Sequence, residues 1–275
     1  MGEGESTAGS PRVHSELAAR VLVGLPALAA ALALVALGGI AFAAALALLG
    51  AACLYELYHL YDEGRAALAV GLVGLVGLLA AGEWGDRQQV LLVAVAALPL
   101  AFLVTMLRGR GGTFAITLTL LGIWWIGLAL AHAVLLRRLP HGGGVVLDVL
   151  IGTFVGDSAA YLGGRAIGRH HLAPRISPNK TVEGLMLGLA FAVLSVWVAS
   201  RFQHWLAPGD ALLLGLGVAI AAPIGDLFES YVKRDAGAKD TGRLFGAHGG
   251  ALDRLDAVLF TAVTGFYIWH AVLVG

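Results

Sequence analysis

From Lys233 to Asp256 the chain interleaves five basic side chains with aspartates, in a 275-residue protein whose charged fraction is only 13%. The run reads Ser230-Tyr-Val-Lys233-Arg234-Asp-Ala-Gly-Ala-Lys239-Asp240, and then His248-Gly249-Gly250-Ala-Leu-Asp253-Arg254-Leu-Asp256. It separates two apolar stretches long enough to cross a bilayer, where a charge is costly unless it has a partner or a task. Carboxylates suit a divalent cation, and ammonium and guanidinium groups suit phosphate oxygens.

Asp226 stands near the expected end of the preceding apolar helix, where the helix dipole disfavours a carboxylate. A cation is expected beside it, from Lys233, Arg234 or a metal ion. Asp253 and Asp256 are at i and i+3 at the opening of the last apolar stretch, hence on one helix face. Folding the loop back brings Asp226 and Asp253 to one point, and oxygen-only ligands of this kind fit Mg²⁺. Asp226, Asp253 and Asp256 are therefore the expected metal ligands, with room for a second cation. His248-Gly249-Gly250 reads as a tight turn where bare backbone can approach a ligand. His248 has no Cys or second His at zinc-like spacing, and the chain has no Walker loop, dinucleotide fingerprint or nucleophile elbow.

A second group lies upstream: Asp157, Tyr161, Arg165, and then Pro174-Arg175-Ile176-Ser177-Pro178-Asn179-Lys180-Thr181-Val182-Glu183-Gly184. Ser177 is expected to be a helix N-cap with Pro178 in the first turn. That leaves Lys180 and Thr181 beside free backbone N–H groups, an arrangement that binds phosphate or, more plainly, caps a helix beside a snorkelling lysine. Asp148 lies inside a span, where a helix-to-helix hydrogen bond explains it as well as catalysis does.

The elements that must position these groups are membrane helices. Apolar residues make up 59% of the chain and mean hydropathy is +0.84, outside the range of a soluble domain. Nine spans are expected, at 18–37, 39–57, 66–82, 88–107, 113–136, 144–164, 183–200, 211–228 and 255–273. The expected organisation is a flexible polar tail at 1–15, N-terminal packing helices at 16–145, and C-terminal helices carrying the site at 146–275. The first span is expected to be retained despite a signal-like start. With nine spans, fourteen of the 18 Lys and Arg fall on one side, which should face the cytoplasm and contain the N-terminus. Net charge is zero, so no global field recruits nucleic acid. The single cysteine, Cys53, excludes an intrachain disulfide. Glycine pairs such as Gly152/Gly156 and Gly184/Gly188 suit close helix packing and permit a homodimer. Glu56, His59, Asp62 and Glu63 read as ordinary charges at a span end, and His132 as a hydrogen-bonded core histidine.

The spacing of Ser230, Lys233, Arg234, Lys239, Asp240, His248, Gly249, Gly250, Asp253, Arg254 and Asp256 closely resembles the signature of the phosphatidate cytidylyltransferases, also called CDP-diglyceride synthases. Residues 157–184 are similar to that family as well. The departure is Ala251, where the family usually has a larger apolar residue. The resemblance implies transfer of CMP from CTP to phosphatidic acid at the cytoplasmic face of the inner (plasma) membrane, giving CDP-diacylglycerol and pyrophosphate. It implies Asp226 and Asp253 as Mg²⁺ ligands, supported by Asp256 or Asp240, with Lys233, Arg234 and Lys239 balancing triphosphate charge. Ser177, Lys180 and Thr181 would bind a lipid or nucleotide phosphate. Asp157, Ser230, His248, Gly249, Gly250 and Arg254 would complete the substrate site. The nearest rival is a CTP-dependent lipid-alcohol kinase. A cation-coupled transporter using Asp157 and Asp226 fits less well, because transporters tend to repeat their broken helices in both halves, and here the charge gathers in one.

Overall fold

The computed structural model describes residues 29–61, 67–109, 111–242 and 249–274. The expected tail, most of the first expected span, and His248 lie outside them. A helical stretch at 29–37 leads to α1 (Gly39–Leu60), followed by a shorter apolar helix, α2 (Leu68–Trp84). Then come α3 (Arg87–Arg108), α4 (Gly112–Arg138), α5 (Gly142–Ile167), α6 (Val182–Ser200), α7 (Pro208–Asp235) and α8 (Leu252–Val274). Among the described residues seven helices, all but α2, are long and apolar enough to cross a membrane, so the all-α polytopic architecture expected from the sequence is found. Gly38 and Gly39 break the first apolar run with φ of 62° and 53°, a backbone that side-chain-bearing residues seldom adopt.

Close approach replaces hydrophobic drive between helices in lipid. On α5 and α6 the expected glycine pairs do this: a Cβ on Gly184 would lie 2.6 Å from the Ala160 carbonyl, and one on Gly188 would lie 3.0 Å from that of Gly156. The N-terminal helices pack around fully buried Leu54, Leu57, Leu75 and Leu78, against a short π-helical segment of α4, Ile123–Gly127. His132 is in the core as expected, bonded to the Leu128 carbonyl at 2.8 Å and to the Tyr267 hydroxyl at 3.3 Å. Asp148 accepts from Gln203 at 2.8 Å, a link between α5 and the segment after α6.

Two expectations about local structure are corrected. Ser177 is not a helix N-cap: residues Ser177–Thr181 form a strand, β2, paired antiparallel with β1 (His171–Ala173). The helix starts at Val182, and Thr181 caps it from an extended backbone, accepting from the Gly184 N–H at 3.1 Å. Pro178, with no N–H, can stand in a two-stranded hairpin because only one side of the strand is paired. The second correction concerns α7, which does not end near residue 228 but continues to Asp235, so Asp226 sits more than two turns inside it.

The ends of the bundle differ in character. At one end, Arg137 and Arg138 donate to the carbonyls of Val35, Ala36, Gly82 and Gly85, satisfying open helix C-termini. Trp269 bonds the Pro140 carbonyl there at 2.8 Å, and Trp205 stacks on His141. The hairpin, the end of α7 and the start of α8 meet at the opposite end.

Candidate active site

On α7, Asp226, Glu229, Ser230 and Lys233 recur at three- and four-residue intervals and so share one face. Glu229 is almost fully buried and its Oε2 lies 2.6 Å from Lys233 Nζ, four residues on. The Ser230 hydroxyl points at Asp226 Oδ1, 3.5 Å away. This face meets the first turns of α8 at Gly225, where a Cβ would lie 2.5 Å from the Asp256 carbonyl and 3.1 Å from Ala257 Cα. Lacking that Cβ, Gly225 lets Asp256 reach the α7 carboxylates. Asp226, Glu229 and Asp256 each present an oxygen, all within 4.8 Å of one another.

Asp253, one turn earlier on α8, is turned to another task. Its Oδ1 lies 2.8 Å from Lys233 Nζ, while Oδ2 accepts the N–H groups of Gly250 at 2.8 Å and Thr241 at 3.1 Å. The expected convergence of Asp226 with Asp253 is thus made through Asp256, and Asp253 reaches the cluster by way of Lys233. Glu229, which the sequence reading left without a role, takes the third place among the gathered carboxylates. The i, i+3 spacing of Asp226 and Glu229 is a usable signal once α7 is seen to continue to Asp235.

The other residue the sequence reading passed over is Glu56 of α1. It is 5% exposed, and it accepts the N–H groups of Ala251 at 2.9 Å and Leu252 at 3.0 Å and the Thr241 hydroxyl at 3.2 Å. A carboxylate at the first N–H groups of α8 complements the helix dipole. Nothing in the local sequence marks it, because its partners lie about 190 residues away.

The hairpin brings Lys180 to the cluster from the other side. Its Nζ lies 2.5 Å from Asp226 Oδ2 and is buried, with no other acceptor among the described residues. The hairpin is anchored by Glu183, which accepts the Arg169 and His170 N–H groups at 3.0 and 3.2 Å, and by His171 to the Pro178 carbonyl at 2.8 Å. Arg234 Nε donates to the Ile176 carbonyl at 3.3 Å, tying the end of α7 to the hairpin turn. Between hairpin, α5 and α7 lies a cleft of about 530 Å³ lined by Asp157, Tyr161, Arg165, Asn179, Lys180 and Asp226. Ser177 is half-buried on β2 and is not among the residues lining this cleft. Lys239, Asp240 and Arg254 are exposed beside the site, and Gly249 takes φ 82° in the turn before α8. Ala251 is fully buried, so the departure from the family signature falls at a packed position.

The donor set fits a hard divalent cation. Asp157, Asp226, Glu229, Asp253 and Asp256 face the ammonium groups of Lys180 and Lys233 among the described residues, an excess of carboxylate in a low-dielectric setting. Among the described residues Glu229 Oε1 is buried without a hydrogen-bond partner, a position that a cation would satisfy. Oxygen-only ligands of this kind are those of hard divalent cations.

A model of the cytidylyltransferase family matches residues 18–272. The chain is 37% identical to the uncharacterized protein YnbB of Escherichia coli over 203 residues, covering 67% of this chain and 68% of that one. It is 38% identical to the phosphatidate cytidylyltransferase of Brucella suis over 194 residues, 68% of each. With the phosphatidate cytidylyltransferase of Mycobacterium leprae identity is 39% over 142 residues, 52% of this chain and 46% of that protein.

Proposed function

This chain belongs to the cytidylyltransferase family, and on that premise we propose that it transfers CMP from CTP to phosphatidic acid, yielding CDP-diacylglycerol and pyrophosphate. The observation that carries the reading is the buried Lys180 ammonium, with donors to spare, paired with Asp226 of the carboxylate cluster in the wall of a cleft at the end of membrane helices. An anionic phosphate supplies the acceptors that Lys180 lacks, and the carboxylates then require a cation between themselves and that phosphate.

In the reaction, an oxygen of the lipid phosphate attacks the α-phosphorus of CTP. The bond from that phosphorus to the bridging oxygen breaks, and pyrophosphate leaves with the electron pair. Neither bond change needs a protein nucleophile, so the work of the side chains is positioning and charge compensation. Lys180 holds a phosphate oxygen at the cleft. Lys233 stays between Glu229 and Asp253 and fixes the carboxylate face of α7 against α8. Arg234 and Lys239 lie toward solvent, where the triphosphate enters, and Arg234 also keeps the hairpin against α7. Asp226, Glu229 and Asp256 would hold a divalent cation, Mg²⁺ in our reading, which when bound offsets charge on the transferred and departing phosphates.

The site faces the cytoplasm on this reading, where CTP is supplied and where most of the basic residues collect.

The test is a mixed-micelle assay of the purified protein with CTP, phosphatidic acid and Mg²⁺, run beside Asp253→Asn, following both pyrophosphate and the lipid product. Wild type is expected to form CDP-diacylglycerol with equimolar pyrophosphate, and the variant little of either. Phosphorylation of a lipid alcohol with release of CDP would overturn the assignment in favour of a kinase.

A further inference from the structure

Among the described residues none of the groups that line the cleft comes from the N-terminal half of the chain, yet one of its side chains joins Thr241 to the start of α8. Glu56 reaches from α1 to three donors on two sides of the α7–α8 loop: the Thr241 hydroxyl where the chain leaves α7, and the Ala251 and Leu252 N–H groups where α8 begins. All three partners are donors, and the carboxylate spends both oxygens on them. Two glycines make room for it. A Cβ on Gly242 would lie 2.6 Å from Glu56 Oε1, and a Cβ on Gly250 would collide with Glu56 Oε2 and the Thr241 hydroxyl. The second glycine of the His-Gly-Gly turn therefore has a steric reason in α1, remote in sequence.

We infer that Glu56 is a positioning residue of the active site, the clamp that fixes Thr241 against the first turn of α8. The consequence runs through bonds already described. Thr241 and Gly250, closed together by Glu56, present their N–H groups to Asp253 Oδ2. Asp253 in turn holds Lys233 at 2.8 Å, and Lys233 holds Glu229 at 2.6 Å, the buried member of the carboxylate cluster. Asp256 follows Asp253 by one turn on the same face of α8. Displacing the clamp shifts Asp253 and Asp256 together, which alters the geometry of the transferring phosphates rather than the affinity of the cleft for lipid. This inference rests on the proposed cytidylyl transfer for its kinetic arm and on the bonding alone for its structural arm.

The experiment compares wild type, Glu56→Gln and the near-isosteric Thr241→Val in the full-length detergent-solubilised protein. It uses steady-state kinetics with CTP and phosphatidic acid, and hydrogen exchange of peptides covering 249–256. Glu56→Gln keeps the volume but turns an amide NH₂ toward groups that are themselves donors. Its kcat is expected to fall roughly 10- to 100-fold, the usual cost of losing a supporting partner. KM for phosphatidic acid is expected to stay near wild type, and amides at 251 and 252 to exchange faster. Thr241→Val removes one of the three bonds and is expected to move both readouts in the same direction by less. Wild-type kcat and wild-type exchange in Glu56→Gln would overturn the inference, as would a loss of activity that vanishes when rates are normalised to folded protein. Should Glu56→Gln not fold, Thr241→Val decides by the same two readouts. A wild type without cytidylyltransferase activity would defeat the proposed function alone, since the exchange of 249–256 still reports on the clamp.

Discussion

Lys233 and Asp253 meet at 2.8 Å across the joint between α7 and α8, although 20 residues of chain separate them. The same ammonium lies 2.6 Å from Glu229, so one cation is shared by carboxylates of two helices in a site where all three side chains are largely buried. Removing one partner of such a group leaves uncompensated charge in a low dielectric, which is costlier than never having built the pair. Lys233→Met is therefore expected to destabilise the protein by about 3–5 kcal/mol and to abolish activity. Lys233→Arg keeps the charge but replaces a compact ammonium by a planar fork, and is expected to retain stability better than activity. Thermal unfolding in detergent, read beside product formation, checks both; an active, stable Lys233→Met protein would remove the shared cation from the account.

The gathered oxygens of Asp226, Glu229 and Asp256 make a separate prediction about metal. Chelation is expected to abolish turnover, with recovery on adding Mg²⁺ or Mn²⁺ but not Zn²⁺. Glu229→Gln and Asp226→Asn are each expected to raise the Mg²⁺ concentration at half-maximal rate by about tenfold or more, whereas Asp253→Asn acts on kcat. A Mg²⁺ titration of the four proteins separates these effects. An unchanged midpoint in Glu229→Gln would show that this carboxylate only neutralises Lys233.

In the proposed reaction Lys180 is the group that holds a phosphate oxygen. It sits on a two-stranded hairpin, paired with Asp226 at 2.5 Å. Lys180→Met leaves the hairpin anchors Glu183 and His171 in place, so the fold is expected to survive. Loss of one charged donor to a transferring phosphate is expected to lower kcat/KM by roughly 10²-fold. Full kcat/KM in this variant would exclude Lys180 from substrate contact.

Thr181 answers a narrower question, since its hydroxyl accepts the Gly184 N–H at the start of α6. Thr181→Ala is expected to cost about 1 kcal/mol of stability and Thr181→Ser close to none. Equal melting of the two variants would mean that the cap contributes nothing here and that the hydroxyl is free for substrate.

Much of this architecture is legible in the sequence, and the illegible parts share a cause. Apolar runs of about 20 residues mark the helices because backbone groups in lipid must be satisfied internally. The spacing of Ser230 through Asp256 marks the site because charge beside hydrocarbon needs a reason. The exact division of labour among Asp226, Glu229, Asp253 and Asp256 depends on how α8 approaches α7 at Gly225, a tertiary fact. The hairpin escaped because Ser177-Pro178 is as good a helix start as it is a strand, and only Glu183 and His171, acting across the turn, decide between them. Glu56 was the least readable of all: one carboxylate at the end of an apolar helix looks solvated until its partners at Thr241 and Leu252 are known.

Orientation gives the last prediction. Arg137 and Arg138 occupy the end opposite the site, yet both donate to backbone carbonyls that would otherwise be open, and Arg201 lies over the Trp197 ring, 5.7 Å from its centroid. Arg137, Arg138 and Arg201 thus have local structural partners, while the larger share of the basic residues collects around the hairpin, the end of α7 and the start of α8, the side that the cytoplasmic bias of basic residues favours. The native background for thiol labelling is low, because Cys53 is the sole cysteine of the chain and is fully buried. Arg175→Cys in the exposed hairpin turn is expected to react with a membrane-impermeant maleimide only in inverted vesicles. His204→Cys, in the exposed segment between α6 and α7, is expected to react in intact cells. The reverse pattern would place the site on the side without CTP and would overturn the cytoplasmic reading together with the reaction that depends on it.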